Sequence, residues 1–465
     1  MESKRTKHIL LSCAVIVIIS CICLALIAVS GAGISLIWPF GRPGDGNEPT
    51  PVSDFQIPTN SLDVPSDNDL PADTLKMMLL VEQQVSEIRG LRVTDVVDRK
   101  LISMSELREI VTEDFFSEYT EQDARRDVQI LSLLVLLPTD FDLRQFYTDL
   151  YSEQIAGFYD SEEEAMYVVQ GTDFGGSEKM TYAHEFTHVL QDQVYGLEEG
   201  LGLNEDTCED NSERCAAVTA LIEGDATLTE LLWFQTYATR DDYDDLMDMY
   251  NDFESPVFDS APPYMAADLY FPYEQGLVFV ELLYNDGGFT AVDAVYENPP
   301  VSTEQILHPE RYPDDLPIPI VLPDLTDVLG AGWSLYDQNV MGEWYTFLIL
   351  NKAYDESHRL PESLAASAAE GWGGDSYAFY LDEDSDDVVF VFDAVWDTNK
   401  DADEFVDAFV RYADLRWETA PSAINDLPAW EGSDSSVIIW QEGARAVWVV
   451  APSAELVELI LLELQ

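Results

Sequence analysis

The sequence predicts an α+β chain in two folded parts: a mainly helical domain with a small antiparallel sheet, then a C-terminal α+β module. An N-terminal transmembrane helix is expected to precede both. Three observations carry this. The apolar residues from Asp73 to Ala353 recur mostly at helical spacing, with one short interruption of strand character. Beyond Gly371-Trp372-Gly373-Gly374 the pattern turns to alternating β-branched and aromatic runs. Before Asp73 lie a long apolar run and a segment rich in Pro, Gly and Asp.

The apolar run reaches from Ile9 to Ile37 behind Lys4, Arg5 and Lys7. It exceeds the roughly 20 residues a span requires. Basic residues before it and acidic sequence after it place the N-terminus in the cytoplasm and the bulk of the chain outside. Residues 1–40 are therefore a membrane anchor or, alternatively, a signal segment cleaved near Ala32, which would release a secreted protein. A lipidated Cys21 is disfavoured because the apolar run continues past it. Residues 41–72 read as a disordered linker, too poor in apolar side chains to build a core.

The folded remainder is split at 73–365 and 370–465. Helices are expected from Asp73-Thr74 to Ile88, from Ser105, from Gln122 to Leu137 and from Phe141 to Gln154. Ile155–Asp160 and Ala165–Val169 flank an acidic turn and read as a β-hairpin, whose open edge is suited to bind an extended peptide. In the C-terminal module the order is β-β-α-β-β-α, with strands at 377–381, 388–395, 436–441 and 444–450, and helices at 402–412 and 454–464.

The net charge is −66, from 89 acidic and 23 basic residues. Phosphate binding needs Lys and Arg, so nucleic acid is excluded as a partner. The excess acid reads as a solvated surface. Three of the five cysteines lie in the apolar run. Cys208 and Cys215 remain, and outside the cytoplasm they are expected to pair. The short loop limits the gain to roughly 2–3 kcal/mol.

The chemistry centres on His184-Glu185-Phe186-Thr187-His188, which takes two of the five histidines. On a helix, positions i and i+4 share a face, so both imidazoles can meet one metal ion. Glu185 sits at the edge of that face, where a carboxylate can accept the proton of a reacting water. A third ligand is required. Glu223 lies in an apolar setting on a second helical run from Ser212 to Tyr237, and a buried carboxylate needs a cation. Glu230 and Asp225 are its substitutes.

This set resembles the gluzincin branch of the zincin metallopeptidases: H-E-F-T-H, Asp192 four residues on, and a Glu on a later helix. The resemblance covers the stretch from the hairpin to the Glu223 helix. It implies Zn2+ on His184, His188 and Glu223, Glu185 as general base, and hydrolysis of a peptide or protein substrate. At the third ligand the chain departs from the thermolysin-like N-E-x-x-x-D and reads Ile222-Glu223-Gly224-Asp225. Asp192 or Asp225 is then the expected outer partner of a histidine. Tyr273 and His308 are candidate donors to a developing oxyanion. The alternatives are a non-catalytic acidic surface protein with a structural or vestigial metal site, and a zinc hydrolase acting on another bond.

Overall fold

The computed structural model describes residues 70–464, apart from 111–118, 155–156, 162, 170–173, 253, 383, 418–421, 426 and 433–434. The expected anchor and nearly all of the linker lie outside the described residues. Among the described residues no helix is long and apolar enough to cross a membrane.

The chain enters on α1 (Ala72–Arg89), followed by β1 (Asp98–Ile102), α2 (Met104–Ile110), α3 (Glu121–Leu133) and α4 (Leu143–Gln154). Thr120 starts α3 through a reciprocal cap: its hydroxyl accepts from Asp123 N–H, and the Asp123 carboxylate accepts from Thr120 N–H. The periodicity predicts this helix as far as Leu137, but it stops at Leu133. Val135 adopts a positive φ of 60°, which a helix cannot continue through. The turn sends Leu136 and Leu137 into the core, where both are fully buried.

The expected hairpin forms as β2 (Gly157–Asp160) and β3 (Ala165–Val169). The small sheet is not purely antiparallel, however. Its order is β1-β3-β2, and β1 runs parallel to β3. A charged segment, Asp98-Arg99-Lys100, supplies this third strand, and Arg99 is neutralised by Glu82 of α1 through two 2.7 Å contacts.

Next come α5 (Gly176–Tyr195), α6 (Glu205–Asp210), α7 (Ser212–Tyr237), α8 (Arg240–Asp252), α9 (Pro256–Asp259), α10 (Pro263–Gly287), α11 (Phe289–Tyr296) and α12 (Thr303–Leu307). The Cys208–Cys215 disulfide forms as expected and ties α6 to the first turn of α7. Helices α7 and α10 cross in direct backbone contact: a Cβ placed on Gly224 would lie 2.2 Å from the Gly276 carbonyl carbon. Only glycine permits so close an approach. The Glu-Gly step that separates this chain from the best-known gluzincin pattern is therefore a packing requirement.

The C-terminal part consists of α13 (Thr326–Leu329), β4 (Trp333–Asn339), α14 (Gly342–Asn351), α15 (Glu362–Ala369), β5 (Trp372–Asp382), β6 (Val388–Trp396), α16 (Asn399–Trp417), β7 (Ser422–Ile424), β8 (Leu427–Glu431), β9 (Ser436–Glu442), β10 (Arg445–Ala451) and α17 (Ala454–Leu464). Its sheet has seven antiparallel strands in the order β4-β5-β6-β10-β9-β8-β7. The four expected strands are its centre. Three others, β4, β7 and β8, extend it at both ends, and β4 precedes the Gly371–Gly374 stretch. One face packs on α16, α15 and α3 around Phe409, Trp448 and Trp396. The other is covered by α17 and α13.

Candidate metal centre

Helix α5 is enclosed on all sides from Met180 to Gln191. Its first turn is capped by acid: Gly175 N–H donates to Glu178, and Gly176 N–H donates to Asp245 of α8 at 2.7 Å. Negative charge there offsets the positive end of the helix dipole. The His184 and His188 rings stand edge to face, 4.8 Å apart between centroids. Helix α7 brings Glu223 against both. Its Oε2 lies 3.1 Å from His184 Nε2 and 3.5 Å from His188 Nε2. One donor atom from each of the three residues falls within 4.8 Å of the others. The predicted ligand set is thus assembled, and none of its members is more than 2 % exposed.

The charges in this cluster hold one another. Burial disfavours the Glu223 carboxylate, but the two imidazoles beside it prevail and keep its carboxyl down at about 2. Burial likewise opposes an imidazolium at His184, yet Glu230 and Glu223 raise its pKa well above the ordinary value. His188 moves the same way, against burial and through Glu223.

The residues fit a divalent zinc ion by the chemistry of the donors. Two nitrogens and a carboxylate oxygen converge, as a tetrahedral centre with one open position needs. His188 Nε2 is buried with no hydrogen-bond partner. The opposite ring nitrogen is already engaged, with Nδ1 2.8 Å from Gln191 Oε1. The Gln191 amide cannot be turned round. Its Nε2 lies 3.0 Å from Ile222 O, from Asp225 Oδ2 and from the Tyr296 hydroxyl, and two of these only accept. Gln191 therefore presents its oxygen to His188. That fixes the proton on Nδ1 and leaves the Nε2 lone pair facing Glu223. Behind it, Asp225 is held by the fully buried Arg89 at 2.7 Å and by Tyr296 at 2.8 Å. Asp225 thus supports a histidine at one remove, through Gln191.

Asp192, the other expected outer partner, has a different task. It accepts from the Tyr159 hydroxyl at 2.7 Å and from Leu197 N–H at 2.9 Å. Tyr159 also donates its backbone N–H to Glu185 Oε2 at 3.1 Å. Strand β2 is an edge of the small sheet, so its outward amide steadies the proposed general base.

Tyr273 on α10 is buried, with its ring centred 6.2 Å from that of His184. His308 sits at the end of α12, as expected, but its Nε2 lies 2.9 Å from Glu343 Oε1. Its helix is bound to the start of α7, where Thr303 donates to Glu213. Glu213 precedes Glu223 by ten residues, on the order of 15 Å along a helix. Glu230, weighed as a substitute ligand, approaches the other nitrogen of His184: its Oε2 is 3.2 Å from Nδ1. Gln191 and Glu230 carried a usable signal in the sequence. One lies three residues after His188, the other seven after Glu223, and both spacings return to the same helix face.

Comparison with known proteins reaches only the C-terminal sheet and its helices. Residues 334–461 are similar to the family described as Domain of unknown function (DUF8575). The match runs from β4 into α17 and stops short of the metal cluster. No curated protein matches the chain, and no solved structure does.

Proposed function

We propose that the protein is a membrane-tethered, extracytoplasmic zinc metallopeptidase. The observation that carries this reading is the convergence of His184 Nε2, His188 Nε2 and Glu223 Oε2, with Glu185 held beside them by a backbone amide. When bound, zinc would supply a Lewis acid that acidifies water and polarises a carbonyl. The chain's own residues do the rest. His184, His188 and Glu223 would hold the ion. Glu185, with Oε2 fixed by Tyr159 N–H, would take a proton from water and deliver it to the leaving amine. Tyr273 would donate its hydroxyl to the oxygen that becomes negative. The outer edge of β2 is buried and gives its Tyr159 amide to Glu185, so the peptide is not assigned to that edge. The apolar run before residue 38 and the Cys208–Cys215 bridge support a position outside the cytoplasm. Glu185 argues against a purely structural site, which needs no base.

The test is zinc content and peptide hydrolysis, wild type against Glu185→Gln. The variant is expected to keep its zinc and lose activity by at least about 100-fold. Full activity in the variant would refute the assigned base. Absence of zinc from the wild type would refute the centre. Zinc binding with no cleavage of peptides would turn the reading to another hydrolysable bond or to a non-catalytic site.

A further inference from the structure

The buried carboxylate of Glu230 lies against the metal-ligating helix and serves no evident structural purpose. It is fully enclosed, yet neither of its oxygens makes a hydrogen bond. Among the described residues it pairs with His184, whose Nδ1 lies 3.2 Å from Oε2. The approach is off-line, so it counts as an ion pair and not as an aligned hydrogen bond. A buried charge without hydrogen bonds is expensive, and a residue kept only for packing would be apolar here: its neighbours on α7 include Leu228 and Trp233, both buried.

From this geometry we infer that Glu230 is the positioning residue for His184. A carboxylate can only accept, so the ring must carry its proton on Nδ1, and the Nε2 lone pair is left toward Glu223 and His188. Histidine ligands commonly need such an outer partner, and losing it weakens metal binding about 10–100-fold. The two histidines are then fixed by different devices: His188 by a neutral amide, His184 by a charge. The inference rests on the zinc-site reading above.

Two variants test it, Glu230→Gln and Glu230→Met. The measurements are the zinc dissociation constant against a chromophoric chelator, the visible spectrum of the cobalt-substituted protein, and the melting temperature of the metal-free protein. Glu230→Met should weaken zinc about 10–100-fold and shift the cobalt bands. Its metal-free form should melt lower than wild type, because one member of a buried ion pair with His184 has been removed. Glu230→Gln keeps an acceptor oxygen and should fall between the two in affinity.

Wild-type zinc affinity with unchanged cobalt bands in Glu230→Met would overturn the inference and leave the zinc site standing. Failure of both variants to fold without metal would also overturn it by showing a structural role. If the wild-type protein itself bound no zinc, the zinc-site reading would fail first and this inference with it.

Discussion

Both halves of the molecule bury carboxylates, and they treat them in opposite ways. In the sheet half the chain satisfies several buried acids itself, although one oxygen of Glu343 stays without a hydrogen bond. Asp375 accepts from Met341 N–H, Gly342 N–H and the Trp372 indole, all within 2.8 Å. Asp127 accepts from the hydroxyls of Tyr119 and Tyr336, and Asp337 from that of Tyr377. In the metal half the acids face imidazoles, and buried donor atoms are left over: His188 Nε2 and both oxygens of Glu230. The same residue type is a structural acceptor in one place and part of a ligand cage in the other. What separates them is whether the surrounding hydrogen bonds are complete.

The largest effect expected from that contrast concerns the ligands. His188→Ala should abolish stoichiometric zinc binding, measured by metal analysis, while circular dichroism of the sheet half stays native. Retention of zinc would show that the cluster is not the cage. Next, Tyr273→Phe should lower kcat by about 100-fold with zinc content intact; an unchanged kcat would remove Tyr273 from the reaction. In the other half, Asp375→Ala strands two backbone amides and an indole N–H, and should cost about 3 kcal/mol in chemical denaturation with zinc affinity unaltered. A loss of zinc in that variant would blur the division between the halves.

A slower drift with pH should also divide them. Burial raises Asp127 and Asp337, both beside the large sheet, to about 7. Unfolded carboxyls titrate near about 4, so the folded state binds more protons in between. The stability contributed by these groups is present below about pH 4 and is lost as pH rises through about 7. Zinc affinity should run the other way. Protons compete for His184 and His188, whose pKa values the neighbouring carboxylates raise, so affinity grows with pH. Melting curves and zinc titrations at pH 5, 6, 7 and 8 would show the two trends crossing; parallel trends would contradict it.

Much of the fold was legible because its signals are local. The α5 and α7 helices, the disulfide and the central strands β5, β6, β9 and β10 each announce themselves through spacing or β-branched alternation. The strands that escaped are of another kind. In β4, Trp333–Asn339 carries Ser334, Asp337 and Gln338 and forms an edge. In β8, Pro428 interrupts the pattern. Strand β1 finds its parallel partner more than sixty residues later, a pairing no window of sequence contains. At the site, His184, His188 and Glu185 follow from helical spacing, and Glu223 from its apolar setting on a later helix. Spacing puts Gln191 on the right face but does not give its orientation, which is set by acceptors on α7 and α11, nor that of Asp225, set by Arg89 on α1. His308 ends a short capped helix, as the sequence suggests. Its actual neighbour, Glu343, belongs to a helix that the chain reaches 35 residues later.

The glycine contact between α7 and α10 has a consequence for distance. Glu223 immediately precedes Gly224, and Tyr273 comes three residues before Gly276. The two helices are pinned where their backbones touch, so the gap between a ligand of the ion and the tyrosine beside it is gauged by main chain and not by flexible side chains. The contact acts as a caliper. A single methyl added at Gly224 would open its jaws, moving Tyr273 away from His184 without altering any residue that touches the substrate or the metal.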